Sequence, residues 1–324
     1  MKQKITLLLI ILTLCYSCDN QDHKRTVSKS SGNINDISVV IENMLWEGSV
    51  GEAIRDTLAA PIEGLSIDEP RFKMRQMPPQ VFSGFATKNR TVLKIEKGKK
   101  AETKILKDAY ARPQTLVLIT GENNAEIIEQ IRTNTIKIVN AFRKEELKEK
   151  QRRISKSLFN DKVLQEQLQL SMRFPTAYRI AKHEDDFFWI RRDIETGTID
   201  MMIYDVPSSA IRKGDSAVVD IVRLRDSIGK IHIEGTLENT YMGTEDAYSP
   251  FISETIIDNK PAYETRGLWD LKNAFMSGPF INYAVEDKIN NRHLIVEGYV
   301  FAPSVAKREY MFELEAIIKS LKIK

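Results

Sequence analysis

The stretch Gln114–Val139, QTLVLITGENNAEIIEQIRTNTIKIV, changes its hydrophobic period from that of a strand to that of a helix. Its first part is an apolar, β-branched run closed by Gly121, which is typical of a buried strand. Asn123 or Asn124, with Glu126 in the first turn, suits the start of a helix. Apolar positions then step by three and four along one inward stripe: Ile128, Ile131, Thr135 and Ile138. The stretch predicts a strand, a turn and a long helix.

The end of the chain follows the same order. His293–Ile318, HLIVEGYVFAPSVAKREYMFELEAII, reads as a strand, a Pro turn and an amphipathic helix. An old duplication and two independent hairpins, each closed by a helix, both explain this likeness. Strands elsewhere are grouped, with helices after them, which predicts an α+β fold of mainly antiparallel sheets flanked by helices. We expect two halves, residues 36–156 and 157–324, which the duplication would make related.

A charged run, Arg143–Lys156, lies where the two halves join. Its acids and bases are interleaved, with Glu145 and Glu149 four residues apart and Lys144 and Lys148 at the same spacing. A surface for nucleic acid or lipid headgroups needs charges of one sign, whereas mixed charges support a helix through neighbouring pairs. We interpret the run as a solvated helical connector.

The first 17 residues have the order of a bacterial export signal. Lys2 and Lys4 precede the apolar segment 5–14, which has the length of a signal core and is too short for a permanent membrane span. Cys18 follows the small residue Ser17, and this arrangement resembles the lipobox of bacterial lipoproteins. The resemblance implies cleavage before Cys18 and acylation of its thiol. Residues 18–35, which are polar, are then predicted to be a flexible tether.

Two other interpretations of the cysteines exist. An ordinary cleaved signal would leave Cys18 as a stray thiol, which exported proteins seldom begin with. A redox pair of Cys15 and Cys18 would need a strand-to-helix turn that lowers the thiol pKa, and a signal segment offers none. Lipidation is therefore favoured, and it leaves the mature chain without a free thiol.

The chain has 324 residues, of which 42% are hydrophobic and 29% are charged, and this composition is that of an ordinary globular protein. Removal of Lys2 and Lys4 with the signal lowers the formal net charge from +3 to +1, so no long-range attraction to nucleic acid follows. Four histidines in the whole chain argue against an elaborate metal site. We expect no metal, no cofactor and no nucleic acid partner.

No catalytic motif stands out. His183–Asp186, HEDD, offers ligand side chains, but neighbours on a turning chain point in diverging directions, so a polar hairpin loop is favoured over a metal site. Ser208 and Ser209 lack the flanking glycines of a nucleophile elbow. His232 and His293 have no second ligand at a useful spacing. The sequence contains no recognisable set of nucleophile, base and orienting residue.

The tryptophans and one arginine pair are the candidates for ligand binding. Trp46 and Trp189 could line a groove, although core packing is the default for a tryptophan in an apolar stretch, Trp269 included. Arg191 and Arg192 form a basic pair beside an aromatic cluster, and the strand period directs them to opposite faces. The candidate ligand-binding residues are therefore Trp46, Trp189, Arg191 and Arg192.

Several phrases resemble one lipoprotein family. WEGSVGEAIR at Trp46, EPRFKM at Glu69 and the closing EGYVFAP and ELEAIIKS are similar to a family of Bacteroidota lipoproteins that is named only as a domain of unknown function, 4837. This resemblance implies no activity. The second half also resembles the PsbP-type sandwich, an antiparallel sheet between helices, and members of that class mostly bind or assemble.

Together these features predict a lipid-anchored protein of the cell envelope. We expect an outer-membrane lipoprotein, facing the periplasm or the cell surface, whose body is a non-enzymatic binding or assembly module. The membrane is its partner through the lipid on Cys18. The alternative is an envelope hydrolase whose active site is assembled from residues distant in the sequence.

Overall fold

Two β-sheets organise residues 27–324, which are the part of the chain that the computed structural model describes. Helix accounts for 31% and strand for 39%, which confirms the α+β class. The predicted signal segment, residues 1–17, and Cys18 lie outside the described residues. Among the helices of residues 27–324, none has the length and hydropathy of a bilayer span.

The N-terminal half contains a small sheet and the helices that cover it. Its helices are α1 (Asn43–Glu47), α2 (Ser49–Leu58), α3 (Asn124–Thr133) and α4 (Thr135–Ile154). Its strands are β1 (Ser28–Lys29), β2 (Asp36–Val40), β3 (Lys73–Met77), β4 (Thr91–Lys97), β5 (Glu102–Lys107), β6 (Ala111–Arg112) and β7 (Thr115–Gly121). Two short 3-10 turns, Pro79–Val81 and Gly84–Lys88, connect β3 to β4.

Five of these strands form the small sheet, in the order β3-β2-β4-β7-β5. The first four run parallel, and only the edge strand β5 is antiparallel to its neighbour. This sheet differs from the antiparallel pairing that we predict for the protein as a whole. Parallel neighbours require a crossover connection, and α1 and α2 supply one between β2 and β3.

Side chains of the small sheet alternate between its two faces, as the strand period requires. Ile37 and Val39 point towards α2, α3 and α4 and belong to the core of this half. Val40 and Leu116 point to the opposite face, where Phe82 packs against them. In the sequence, Val50, Ile54 and Leu58 recur every four residues, which predicts one inward helical face. All three belong to α2 and are at most 1% exposed, which confirms this prediction.

The long helix predicted from Asn124 is instead two helices. α3 ends at Thr133 and α4 begins at Thr135, because the Asn134 side-chain amide donates to the Gln130 carbonyl, 2.9 Å away, and competes with the helical backbone. The start is as predicted: the Asn123 side chain accepts a hydrogen bond from the backbone N–H of Glu126 at 3.0 Å.

The predicted tether, residues 18–35, is too long at its C-terminal end. β1 pairs parallel to β6, and the Arg90 guanidinium donates to the Asn33 carbonyl at 2.7 Å. The backbone N–H of Asn35 donates to Glu146 at 2.7 Å. Backbone hydrogen bonds rather than apolar side chains hold this segment, so its polar composition was misleading.

The C-terminal half contains a large sheet with helices on both of its faces. Its helices are α5 (Lys162–Gln167), α6 (Ala217–His232) and α7 (Arg308–Ile318). Its strands are β8 (Leu170–Ser171), β9 (Arg179–Glu184), β10 (Phe187–Ile194), β11 (Gly197–Pro207), β12 (Tyr241–Thr244), β13 (Phe251–Ile257), β14 (Lys260–Lys272), β15 (Ser277–Asp287), β16 (Arg292–Phe301) and β17 (Lys322–Ile323). All their pairings are antiparallel, as predicted.

The large sheet has the order β12-β14-β15-β16-β11-β10-β9, with β13 also paired to β14, and it curls around α6. The end of α6 contacts strands near both ends of this order. The N–H of Met242 in β12 donates to the Ile233 carbonyl, and His232 stacks on Phe187 of β10 at 4.0 Å. These two strands are five positions apart, about 24 Å in a flat sheet, while a helix is only about 10 Å wide. The sheet is therefore a half-barrel, with α6 on its concave face.

α7 packs on the convex face of the half-barrel, where Leu314 and Ile317 join Tyr283 and Val296 in one core. The segment Gln167–Phe174 alternates apolar and polar residues, which predicts a strand. It contributes to this core but is mostly irregular, since only β8 pairs, with β17. Its alternation correctly predicts burial, because four side chains are at most 4% exposed: Leu168, Leu170, Met172 and Phe174.

The charged run Arg143–Lys156 is not a solvated connector, which corrects our interpretation. It forms the second part of α4, and three of its acids, Glu145, Glu146 and Glu149, are at most 6% exposed. Arg90 binds both oxygens of Glu146, at 2.8 and 2.9 Å. Bases from other parts of the fold thus pair with Glu145 and Glu146, whereas Glu149 pairs with Arg152 and Arg153 of the same helix.

The two halves meet where α4 packs on α7. Arg143 and Lys150 of α4 bind Glu315 and Glu313 of α7, at 2.5 and 2.7 Å. Glu69 accepts hydrogen bonds from the backbone N–H groups of Lys307 and Arg308 at the start of α7. The halves differ in the number and direction of their strands, so the similar ends of the two sequences do not extend to a shared topology.

Candidate functional site

Trp189 and Arg191 lie together on the concave side of the half-barrel. The Trp189 Nε1–H donates to Asp200 Oδ1 at 2.9 Å, and Arg191 Nε donates to the same oxygen at 2.8 Å. The Arg191 guanidinium also lies over the Trp189 ring, 4.4 Å from its centre. Because Asp200 pairs the charge and the guanidinium covers the ring, this group is stabilised within the protein and offers little to a ligand.

Arg192 points to the opposite face of the sheet. Its guanidinium binds Glu313 of α7 at 2.5 Å and lies 5.6 Å from the centre of the Tyr178 ring. Tyr178 also donates to Glu313, at 2.9 Å. Arg192 therefore supports the packing of α7 and is separated by the sheet from Arg191.

Trp46 lies in the N-terminal half, on α1. The Arg55 guanidinium lies 4.9 Å from the centre of its ring, and Arg55 also donates to the Trp46 carbonyl. The ring borders a groove of about 720 Å³ that Arg153 and Arg308 also line. The four predicted ligand-binding residues thus occupy three different environments and do not form one site.

A cleft at one end of the half-barrel is the stronger candidate. It has a volume of about 820 Å³ and lies between β13, β14, β15, β16 and the segment that precedes α6. Much of its wall is apolar, from Ile211, Ile256 and Ala284. Tyr263 faces Glu254 on one neighbouring strand and Ala284 on the other, so these three side chains form one row across the floor.

His293 lies in this cleft beside Glu286, its direct partner across β15 and β16. The side chain is only 6% exposed, and its Nδ1 has no hydrogen-bond partner among the described residues. Burial lowers the pKa of the imidazole more than the Glu286 carboxylate raises it, and Lys213 adds a smaller lowering. The imidazole is therefore neutral at pH 7, and its buried Nδ1 is left without a hydrogen bond among the described residues.

The rim of the cleft carries charges of both signs. Lys213 and Lys288 lie 3.6 and 4.0 Å from the carboxylate of Glu286, and Glu254 lies on β13. Two lysines and two glutamates give the rim no net charge. An apolar wall, a neutral rim and one unpaired polar atom at depth fit an amphiphile with an uncharged hydrogen-bonding group.

The concave face beneath α6 carries more buried polar groups. Arg225 donates to Glu297 at 2.9 Å, and Asn282 donates to the other oxygen of Glu297 at 2.9 Å. Burial raises the pKa of the Glu297 carboxyl. Further buried atoms on this face lack a partner among the described residues: Arg225 Nη2, Thr265 Oγ1, Asn282 Oδ1 and Tyr299 OH. The concave face is thus more polar than a sealed core.

The other polar motifs of the sequence are satisfied locally. His183 stacks on Phe188 at 4.2 Å, whereas Glu184 pairs with His232 at 3.2 Å, so the HEDD side chains diverge as expected. Ser208 donates to Asn291 at 2.5 Å. Within residues 27–324, no three His, Cys, Asp or Glu side chains are grouped so that they could hold a metal ion.

Spacing alone gave no reason to select His293, because its neighbours in the cleft come from positions 211–288. One signal was present in the sequence. Along β16, His293, Glu297 and Tyr299 share one face with Ile295, whereas Leu294, Val296 and Val300 lie on the other, so one face of a buried strand carries three polar side chains.

Fold and site define a two-sheet α+β protein with a half-barrel cleft and, among the described residues, no assembled catalytic set. The chain belongs to the family described as Domain of unknown function (DUF4837), whose model matches residues 157–320. A second model, Domain of unknown function (DUF8532), matches residues 30–155. The predicted family is therefore confirmed as a domain of unknown function. No curated protein matches the chain.

Solved structures show only distant likeness. A protein of Bacteroides thetaiotaomicron VPI-5482 is 13% identical with a TM-score of 0.26, and the match covers 48% of this chain and 45% of that one. The Saccharomyces cerevisiae Ran-binding protein Mog1p is 9% identical with a TM-score of 0.33, over 48% and 89%. LpqN of Mycobacterium tuberculosis, involved in cell envelope biogenesis, is 11% identical with a TM-score of 0.28, over 47% and 82%.

Proposed function

We propose that the protein is a lipid-anchored envelope module that binds an amphiphile in the His293 cleft without transforming it. The observation that carries the proposal is His293 itself, a buried neutral side chain whose Nδ1 lacks a partner and which lies in a cleft of about 820 Å³. A buried polar atom without a partner costs about 1 to 3 kcal/mol, which a ligand that hydrogen-bonds to it would recover.

The anchor supports the location. Cys18, after a short apolar segment and Ser17, resembles the lipobox cysteine of Bacteroidota lipoproteins. Acyl chains on this residue would hold the protein at the outer membrane, facing the periplasm or the cell surface. The proposal includes a relationship between the C-terminal half and the PsbP-type sandwich. The large sheet between α6 and α7 supports it, since a sheet between helices is the arrangement of that class.

The chemistry of the cleft supports one class of ligand. Ile211, Ile256 and Ala284 would contact an apolar chain, and His293 would hydrogen-bond to a hydroxyl or amide group. The neutral rim favours an uncharged head over a carboxylate. A monoacylglycerol or a similar envelope lipid has these properties.

Photocrosslinking of the full-length lipidated protein in envelope membranes tests the proposal. A diazirine-bearing monoacylglycerol should label peptides that contain residues 254–263 and 284–293. We expect His293→Phe, which removes the ring nitrogens, to reduce labelling at least tenfold, and His293→Asn to retain part of it. Ile231→Phe, at a residue that is 62% exposed on α6 and outside the cleft, is the matched control.

Two results would contradict the binding proposal. Labelling that is unchanged by His293→Phe would mean that the cleft is not the site. Turnover of envelope esters or peptides that His293→Asn abolishes would establish the hydrolase alternative instead. The location is tested separately: Cys18→Ala should abolish metabolic labelling with palmitate and release the protein from the membrane, and persistent labelling would disprove the assigned anchor.

A further inference from the structure

The N-terminal half exposes apolar side chains beside the first described strand. Val81, Phe85 and Tyr110 are 55%, 75% and 38% exposed. Val81 and Phe85 lie in the two 3-10 turns between β3 and β4, and Tyr110 lies in the turn before β6. Single exposed apolar residues are common, but neighbouring ones form a patch that suits an apolar partner. We call these three residues and their surroundings the turn surface.

Hydrogen bonds and a ring contact hold the turn surface together. The Phe82 and Tyr110 rings pack edge to face with their centres 5.4 Å apart. The Gln114 side-chain amide donates to the Thr87 carbonyl at 2.7 Å, and its oxygen accepts from the Tyr110 N–H at 2.9 Å. The two turns and the β6 segment are therefore one continuous surface.

The start of the described chain lies on the same surface. β1 pairs with Ala111 and Arg112 of β6, and the Ser31 N–H donates to the Lys88 carbonyl at 2.8 Å. Three bases, Lys29, Lys88 and Arg112, lie on the segments that form this surface, and two acids lie beside it: Asp108, 3.3 Å from Arg112, and Glu42, which accepts from Gln80 of the first turn at 3.2 Å. Exposed apolar side chains with an excess of basic residues near them suit a surface that contacts a bilayer.

The covalent length of the chain places a bilayer within reach. Eight residues, 19–26, separate the anchor cysteine from the described chain, which begins at residue 27. A chain of that length spans at most about 30 Å even when fully extended. An acylated Cys18 would therefore keep the turn surface within about 30 Å of the lipid.

We propose that the turn surface lies on the lipid bilayer that carries the anchor, with Phe85 and Val81 inserted at the headgroup level. This proposal rests on the acylation of Cys18 in the proposed function. It also sets the orientation of the body. The turn surface lies on the Val40 and Leu116 face of the small sheet, whereas α4, which packs on the C-terminal half, lies on the other face, so the C-terminal half lies on the side of the sheet away from this bilayer.

Each cysteine variant would carry a single free thiol. Cleavage would remove Cys15, and acylation would block the thiol of Cys18. Phe85→Cys and Val81→Cys variants of the lipidated protein are labelled with a nitrobenzoxadiazole probe and placed in phosphatidylethanolamine–phosphatidylglycerol vesicles. Phe275→Cys is the matched control, since Phe275 is fully exposed but lies in the turn between β14 and β15 of the other half.

We expect blue-shifted emission at positions 85 and 81, and quenching by doxyl-labelled lipid at least threefold stronger than at position 275. Equal and weak quenching at all three positions, in protein that floats with the vesicles, would overturn the bilayer contact while leaving the anchor intact. Protein that does not float with the vesicles would disprove the anchor, and with it this proposal.

Discussion

Arg143 and Glu315 lie 2.5 Å apart across the junction of the two halves, and the Glu315 side chain is only 3% exposed. Glu315 also binds Arg266 at 3.0 Å and Lys319 at 2.9 Å. Three cations around one buried carboxylate hold the pKa of Glu315 well below its usual range, although burial opposes them. The junction thus contains a buried carboxylate whose charge would destabilise the folded protein without its three cationic partners.

Glu315→Gln is expected to lower the free energy of unfolding at pH 7 by about 3 to 5 kcal/mol, because it leaves three cations without their buried partner. Urea unfolding followed by circular dichroism measures this loss. Glu102→Gln is the control, since Glu102 pairs with Lys104 where both side chains are about half exposed, and it should change stability by less than about 1 kcal/mol.

The loss caused by Glu315→Gln should depend on pH in one direction. A folded-state pKa below the unfolded value gives stability that is fully present above the unfolded pKa, about 4.3. The difference between parent and variant should therefore be constant from pH 7 to about pH 5 and shrink as the pH falls further. A difference that grows on acidification would mean that the carboxylate is not stabilised by its neighbours.

Glu69 is expected to cap α7 from the other half of the chain. Its carboxylate accepts from the backbone N–H groups of Lys307 and Arg308 at 2.6 and 3.0 Å. Glu69→Ala should therefore cost about 1 kcal/mol in urea unfolding, as loss of a cap does. Asp68→Ala, at the exposed neighbouring residue, should have no measurable effect, and equal losses for both variants would argue against a cap.

Gly229 allows α6 to approach β12 closely. A Cβ atom at this position would lie 2.3 Å from the Met242 carbonyl oxygen, which is closer than real Cβ atoms come. Gly229→Ala should destabilise the protein by about 1 to 3 kcal/mol through overpacking. Ser227→Ala, at an exposed position on the same helix, should stay within about 0.5 kcal/mol. Thermal unfolding of both variants tests whether α6 packs this closely against β12.

His293 should make stability fall as the pH decreases below about 6.5. Burial lowers its pKa in the folded state, so the unfolded chain takes up the proton first and unfolding becomes easier on acidification. His293→Asn should remove this part of the pH dependence between pH 7 and 5. Glu286 and Lys213, which also face the imidazole, are left unchanged, and identical pH profiles for parent and variant would refute a buried neutral imidazole.

Local sequence patterns predicted the elements that their own residues stabilise. The stripe of α2, the cap at Asn123 and the strand at residues 115–121 depend on neighbours within a few positions. The acids of α4 depend on more distant ones, since Glu146 is 56 residues from its partner Arg90. An interleaved charged run therefore looked solvated in the sequence although tertiary ion pairs bury it.

The candidate site was less predictable for the same reason. Trp269 is 3% exposed, as core packing would require, whereas Trp46 and Trp189 are partly exposed and covered by arginines. Nothing in the spacing around those tryptophans reveals which arginine will stack on them. In the sequence, His293 has no second ligand residue at a useful spacing, and only the curl of the sheet brings Ile211 and Ile256 to it.

The ion pairs between α4 and α7 have an evolutionary consequence, because each helix falls within a different family model. A homologue that carries the C-terminal module without the N-terminal one would expose Glu313 and Glu315 and lose two of their cationic partners. We expect such stand-alone homologues to have replaced this pair with neutral residues. In two-module chains, the acids on α7 and the bases on α4 should be inherited together.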